Sequence, residues 1–181
     1  MLTFESSKGV YMKFLNDRVS YGFLSVLLHW SMAAAIIALF ATGLIIEELD
    51  YTDALYQILP QWHFGVGFVF LIIYFIRLLS KVIQISPVSK AHNPIERKLA
   101  ISVHHLLYLL MLVSFVSGYA WYSYEAEPVE FLGIFTIPVF DSISSDLLRQ
   151  IKKIHEPSVF ALIGLASIHA LAGLKHFLRR D

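Results

Sequence analysis

The stretch 155-HEPSVFALIGLASIHALAGLKHF-177 decides the fold. It is apolar enough to enter a bilayer, yet it carries His155, His169 and His176. On an α-helix the fourteen residues from His155 to His169 give ~21 Å of rise and a rotation ~40° short of four full turns. Both rings therefore share nearly one face, at two depths. A hydrocarbon core is ~30 Å thick, so a helix spanning it sets one ring near each side of the membrane. Ionisable side chains are costly there and by default mark a function.

The rest of the chain supports a membrane reading. Of 181 residues, 57% are hydrophobic and 15% charged, a balance well above the apolar share of soluble domains. Cysteine is absent, which excludes disulfides, thiolate metal sites, iron–sulfur clusters and covalent c-type haem attachment. Residues 1–19 form a polar tail with Lys8, Lys13 and Arg18. A membrane domain over residues 20–181 follows, with spans expected at about 21–46, 61–80, 99–122 and 157–178. The first run is about twice the length of a signal-peptide core, so it reads as a retained helix. Pro157 suits the first turn of the fourth span, and residues 144–154 are expected to make a separate short interfacial helix. Trp62, Trp121, Tyr122 and Tyr124 supply aromatic belts at the headgroup level.

Basic residues orient the bundle. Eleven of the 14 Lys and Arg fall in the tail, at the C-terminus, or between the second and third spans with Arg77. Only Arg149, Lys152 and Lys153 lie in the other compartment. By the positive-inside rule both termini are cytoplasmic, and the acidic connectors face out.

This orientation sorts the histidines by depth. His63 and His155 open the second and fourth spans at the outer face. His29, about 12 Å from the inner end of the first span, is level with His169. Two cross-helix pairs result, His63/His155 outside and His29/His169 inside. A six-coordinate b-type haem takes one axial ligand on each side of its ring, so each pair suits one haem. Hydrogen-bonded structural histidines are the plain alternative for one isolated ring, but four matched in depth favour ligation. Arg77, fourteen residues beyond His63, can snorkel to the interface or pair with a haem propionate. Gly65 and Gly67 clear space for a planar group or a close helix.

Tyr21 with His29-Trp30, His63 with Gly67 and Arg77, and His155-Glu156 with His169-Ala170, Ala172, Leu174 and His176 together resemble the bacterial cytochrome b561 family, over about residues 21–177. The resemblance implies an all-α, four-helix bundle in the bacterial inner membrane. Two b-type haems would be held by His29, His63, His155 and His169, in the pairing that depth suggests. It also implies two activities: some members oxidise superoxide at the outer face and reduce ubiquinone, while others transfer electrons for separate proteins. The chain departs from the pattern in its longer N-terminus, its acidic first connector and Pro157.

Saturated axial positions point to electron transfer rather than oxygen activation. No nucleotide loop, serine elbow or zinc-protease motif is present, and nothing points to nucleic acid. Lys152 and Lys153 are candidates to steer a small anion to the outer haem. His104 and His176 are candidates for a quinone site near the inner one, His104 matching the family position better than His105, and His92 reads as a loop residue. Three classes of function follow: a haem-based oxidoreductase between an external small-molecule or protein donor and the quinone pool, a haem-bearing membrane anchor relaying electrons for a soluble enzyme, and a haem-free carrier of protons or metal ions lined by histidine.

Overall fold

The computed structural model describes residues 3–4, 12–87, 93–125, 128–131, 135–139 and 144–179. His92 lies outside them. Four long helices carry the fold: α1 (Phe23–Glu48), α2 (Ile58–Ile83), α3 (Pro94–Glu125) and α4 (Ser145–Arg179). Each is long and apolar enough to cross a membrane, and only 11% to 17% of its most apolar window is buried inside the protein. Exposed Ile37, Leu109 and Leu171 on such helices belong against lipid, where they need no protein partner.

Local chemistry sets the helix ends. α3 starts on Pro94, whose missing N–H costs nothing in a first turn, and the Asn93 side chain accepts a hydrogen bond from the Ile95 amide at 2.8 Å, closing one orphan donor. Ser144 caps α4 in the same way through the Leu147 amide, with Asp146 in the first turn favoured by the helix dipole. These caps start α4 well before Pro157, which lies inside the helix rather than in its first turn. The expected interfacial helix and the fourth span are therefore one element. Its 35 residues extend ~52 Å, longer than the hydrocarbon core, so both ends project from it.

Two tight antiparallel hairpins, α1 with α2 and α3 with α4, meet along a thinner seam. Small residues explain the closeness of the second. Ser158 donates to the His155 carbonyl at 2.7 Å, and its oxygen takes the Ser114 hydroxyl at 3.0 Å across the helix pair; such side chains let helix backbones approach and bond in lipid. At mid-depth all four helices contribute to one core, Met32, Phe70, Tyr74, Met111 and Leu162. Leu162 stands midway between His155 and His169 on α4, so this core separates the two histidine layers.

A short antiparallel pair, β3 (Val129–Phe131) and β4 (Phe135–Ile137), closes the connector end of the bundle. Ile137 is fully buried with Phe64, beside Tyr119 and Tyr122. The Tyr119 hydroxyl donates to the Pro138 carbonyl at 2.7 Å. At the other end, β1 (Thr3–Phe4) pairs with β2 (Met12–Lys13). The turn that follows docks on α2, where the Asn16 amide donates to Gln84 Oε1 at 2.9 Å. Gly22 then caps α1: a Cβ there would stand 2.4 Å from the Leu15 carbonyl carbon, so only glycine fits.

Candidate functional site

The connector-end pair is held by its hydrogen bonds. His155 Nδ1 lies 2.9 Å from the Ser114 carbonyl oxygen and 3.1 Å from Ser117 Oγ. A carbonyl only accepts, so Nδ1 carries the proton and Nε2 the lone pair. Ser117 has its one proton committed to the Val113 carbonyl at 2.7 Å, so it also accepts from the ring. On the other hairpin, Thr42 Oγ1 donates to the Ala38 carbonyl at 2.9 Å and sits 2.9 Å from His63 Nδ1. With the Ala38 and Leu39 carbonyls at 2.9 and 3.1 Å to take the Thr42 proton, the Thr42 oxygen is available to accept from His63 Nδ1, which would leave Nε2 free for a ligand. The two rings lie within electrostatic range of each other across the seam.

Glycines make room for both rings. A Cβ on Gly43 would stand 3.4 Å from His63 Cε1, and one on Gly118 would stand 2.7 Å from His155 Cε1. Trp121 packs edge-on against His155 with ring centres 5.8 Å apart, and Lys152 Nζ lies 4.7 Å above the Trp121 ring. The charge of Lys152 is thus held one side chain away from the His155 ring by a cation–π contact. Lys153 is exposed.

At the termini end, the His29 and His169 rings are 6.2 Å apart with planes at 71°. Two imidazoles bound to one metal ion from opposite sides, each nitrogen ~2.0–2.1 Å from it, place their ring centres ~6–6.5 Å apart. Arg77 lies within electrostatic range of His29. His104 adds a third ring, 5.0 Å from His169, with its Nδ1 donating to the Ala100 carbonyl at 2.6 Å. His105, next in the chain and ~100° around the helix, is exposed. His176 lies on α4, but its side chain is outside the described residues.

These residues fit b-type haem. Each pair brings together one histidine from each hairpin, which is what an iron with two axial imidazoles requires. Among the described residues, a Cβ on Gly67 or Gly173 would meet nothing within 4 Å beyond its own helix backbone, and each glycine lies one turn beyond a histidine, His63 and His169, on the same face. Both leave a cleared shelf beside a ligand-type ring. Ser25 Oγ, one turn before His29, is buried with no hydrogen-bond partner among the described residues, as a group awaiting a partner from outside the chain would be. Among those residues no cluster of three or more His, Asp or Glu side chains could hold a bare metal ion.

Sequence reasoning singles out the four histidines, Arg77 and the lysines as candidates; it assigns no site role to Thr42, Ser114, Ser117, Gly43 or Gly118, and reads Trp121 only as part of an aromatic belt. A signal existed: a hydroxyl residue followed by glycine occurs at Thr42-Gly43 and again at Ser117-Gly118, each on the helix preceding a ligand-type histidine.

Residues 20–181 match the prokaryotic cytochrome b561 family. Over 172 residues, covering 94% of this chain and 92% of the relative, the sequence is 28% identical to "Cytochrome b561 homolog 2" of Escherichia coli (strain K12). Over 160 residues, 86% of this chain and 89% of the relative, it is 27% identical to "Cytochrome b561 homolog 1" of the same organism.

Proposed function

The chain belongs to the prokaryotic cytochrome b561 family, and from that premise we propose that it is a di-haem oxidoreductase of the bacterial inner membrane, taking electrons from superoxide outside and giving them to ubiquinone. At the coarser level it is a multi-pass bacterial membrane protein and a b-type cytochrome of transmembrane electron transfer. The observation that carries the proposal is the division of the ligand-type histidines into two pairs at two depths, each drawn from both hairpins. When bound, a b-type haem would supply reversible one-electron transfer.

In this reading His63 and His155 would hold the haem at the outer face, and His29 and His169 the one at the cytoplasmic face. Charge bias sets the orientation, with both termini and residues 1–19 cytoplasmic. Arg77, near His29, offsets negative charge at the inner site, where a propionate is the natural partner. Lys152 and Lys153 draw an anionic donor to the outer end. His104, turned toward His169, and His176 supply hydrogen-bond and proton contacts to a quinone headgroup. Two superoxide ions each lose one electron to become dioxygen, and one quinone gains two electrons and two protons to become quinol.

The test begins with haem content of the purified protein. Two low-spin b-type haems per chain, and superoxide-dependent quinol formation in proteoliposomes, are expected. One haem or none would overturn the di-haem reading. Two haems without superoxide-driven turnover would leave the relay for a separate enzyme as the better account.

A further inference from the structure

The outer histidines are held differently from the inner ones, and the difference repeats in both hairpins. His63 donates its Nδ1–H to Thr42, and His155 donates its own to Ser114 and Ser117. Ser117 and Thr42 each have the carbonyl four residues earlier, Val113 or Ala38, to take their proton, and with Nε2 of each ring given to a haem iron, as the di-haem reading requires, Nδ1 carries the proton and both hydroxyls accept. The glycine after each hydroxyl, Gly43 or Gly118, stands against the same ring. Thr42-Gly43 on α1 thus serves His63 on α2, and Ser117-Gly118 on α3 serves His155 on α4. Among the described residues neither His29 nor His169 makes a ring hydrogen bond, and the charged neighbour of that pair is the cation Arg77.

Resting on the di-haem reading, we infer that Thr42-Gly43 and Ser117-Gly118 are twin positioning devices that fix the outer ligands and make the outer haem the lower-potential one of the two. An imidazole whose Nδ1–H is donated becomes more basic at Nε2 and donates more electron density to a metal. That stabilises the ferric over the ferrous state, and second-shell bonding is one of the levers that tune haem potential. At the inner pair the ligands lack this push, and a nearby cation favours the reduced, less positive iron. The equilibrium between the two sites therefore leans inward, which gives electron flow a direction from the outer face to the cytoplasmic face.

Thr42→Val keeps the shape of the side chain and removes its oxygen. In the haem-loaded protein, redox potentiometry with optical detection is expected to show the outer midpoint rising. A tenfold loss of ferric preference corresponds to 59 mV for one electron. The inner midpoint should stay fixed, and Thr42→Ser should restore the original value. Should Thr42→Val fail to load haem, Ser117→Ala tests the same point at His155 while leaving the Ser114 carbonyl in place, and a smaller rise is expected. An unchanged outer midpoint in either loaded variant overturns the inference, as does assignment of the lower potential to the haem that His29→Ala removes. The readings beneath it are judged separately: fewer than two haems in the unaltered protein overturns the di-haem reading, retention of both low-spin signals in His63→Ala overturns the pairing, and loss of one signal with a midpoint insensitive to Thr42 sinks only the present inference.

Discussion

Replacing Gly118 with alanine puts a methyl group where His155 already is. The added carbon would stand 2.7 Å from Cε1, 3.1 Å from Nδ1 and 3.5 Å from Nε2 of that ring. Carbon atoms rest at ~3.5–4.0 Å, so ring or helix must move by ~1 Å. Functional constellations tolerate ~0.5 Å, and a shift of ~1 Å also breaks the bonds from Nδ1 to Ser114 and Ser117, now 2.9 and 3.1 Å long. Loss of such supporting contacts lowers metal-site affinity by ~10–100-fold. Haem titration of the apoprotein, followed by absorption and low-temperature EPR spectroscopy, should show the outer low-spin signal weakened or lost and the inner one unchanged. Gly67→Ala is the companion. Among the described residues nothing beyond its own helix backbone lies within 4 Å of its new methyl, so it creates no clash in the apoprotein, and any loss of haem affinity reports a haem face on that shelf. Wild-type haem affinity in Gly118→Ala would refute the reasoning from ring position to ligand function.

His29→Ala or His169→Ala should remove the inner haem and spare the outer, while His63→Ala or His155→Ala should do the reverse, read from the two low-spin signals. Superoxide-dependent haem reduction should slow as ionic strength rises, because exposed charges are screened over ~8 Å at physiological salt; Lys152→Glu with Lys153→Glu should slow it further without altering the spectra, and indifference to both would argue against an outer anion site. A reporter fused after Asp181 should read as cytoplasmic, and an external signal would exchange the inner and outer labels. Near the N-terminus, Asp17 bonds Lys13 at 2.7 Å and the amides of Val19 and Ser20 at 2.8 and 2.7 Å; the Lys13 contact first, then these amides, hold its carboxyl well below the usual carboxylate range. The turn is therefore stabilised above the unfolded pKa of ~3.9 and loosens as pH falls toward the depressed folded value. Asp17→Asn should speed hydrogen exchange at the Val19 and Ser20 amides at neutral pH, and unchanged exchange would dismiss the carboxylate's role.

Four spans and two ring layers were legible because lipid imposes simple rules on sequence. A membrane helix must satisfy its backbone internally, so apolar length reports the element, and a ring that is costly in hydrocarbon reports a site. The fourth helix starts earlier than Pro157 suggests, because proline reads as a boundary in sequence yet lies inside the helix. The Ser144 cap and the helix-forming residues 147–153 outweighed it, since a proline at the membrane interface frees only one or two backbone groups, which water or headgroups can satisfy. The β3–β4 cover was invisible for a different reason. Its short strands earn their place through Ile137, which is buried against residues far away in the chain, and no local pattern encodes that contact.

The contacts around the rings were hidden by a similar logic, and their arrangement explains why they matter. Within a helix, Thr42 and Ser117 look like residues that bond their own backbone, and each does so. Only packing of the next helix turns that local bond into a constraint on a neighbour. With the hydroxyl's proton given to its own helix, its oxygen accepts from Nδ1, and the histidine facing it presents its bare nitrogen elsewhere; at His155 the Ser114 carbonyl enforces the same choice. The same close packing that pairs α3 with α4 thus selects the tautomer of His155 before any ligand arrives, and that of α1 with α2 sets an acceptor within reach of His63 Nδ1. Binding then has less left to organise, which is how preorganised sites gain affinity. Loosening either hairpin, for instance by Ser158→Leu at the buried contact with Ser114, should accordingly weaken the outer haem more than the inner, and equal weakening of both in a haem titration would show that the bundle as a whole, rather than the hairpin, holds the ring.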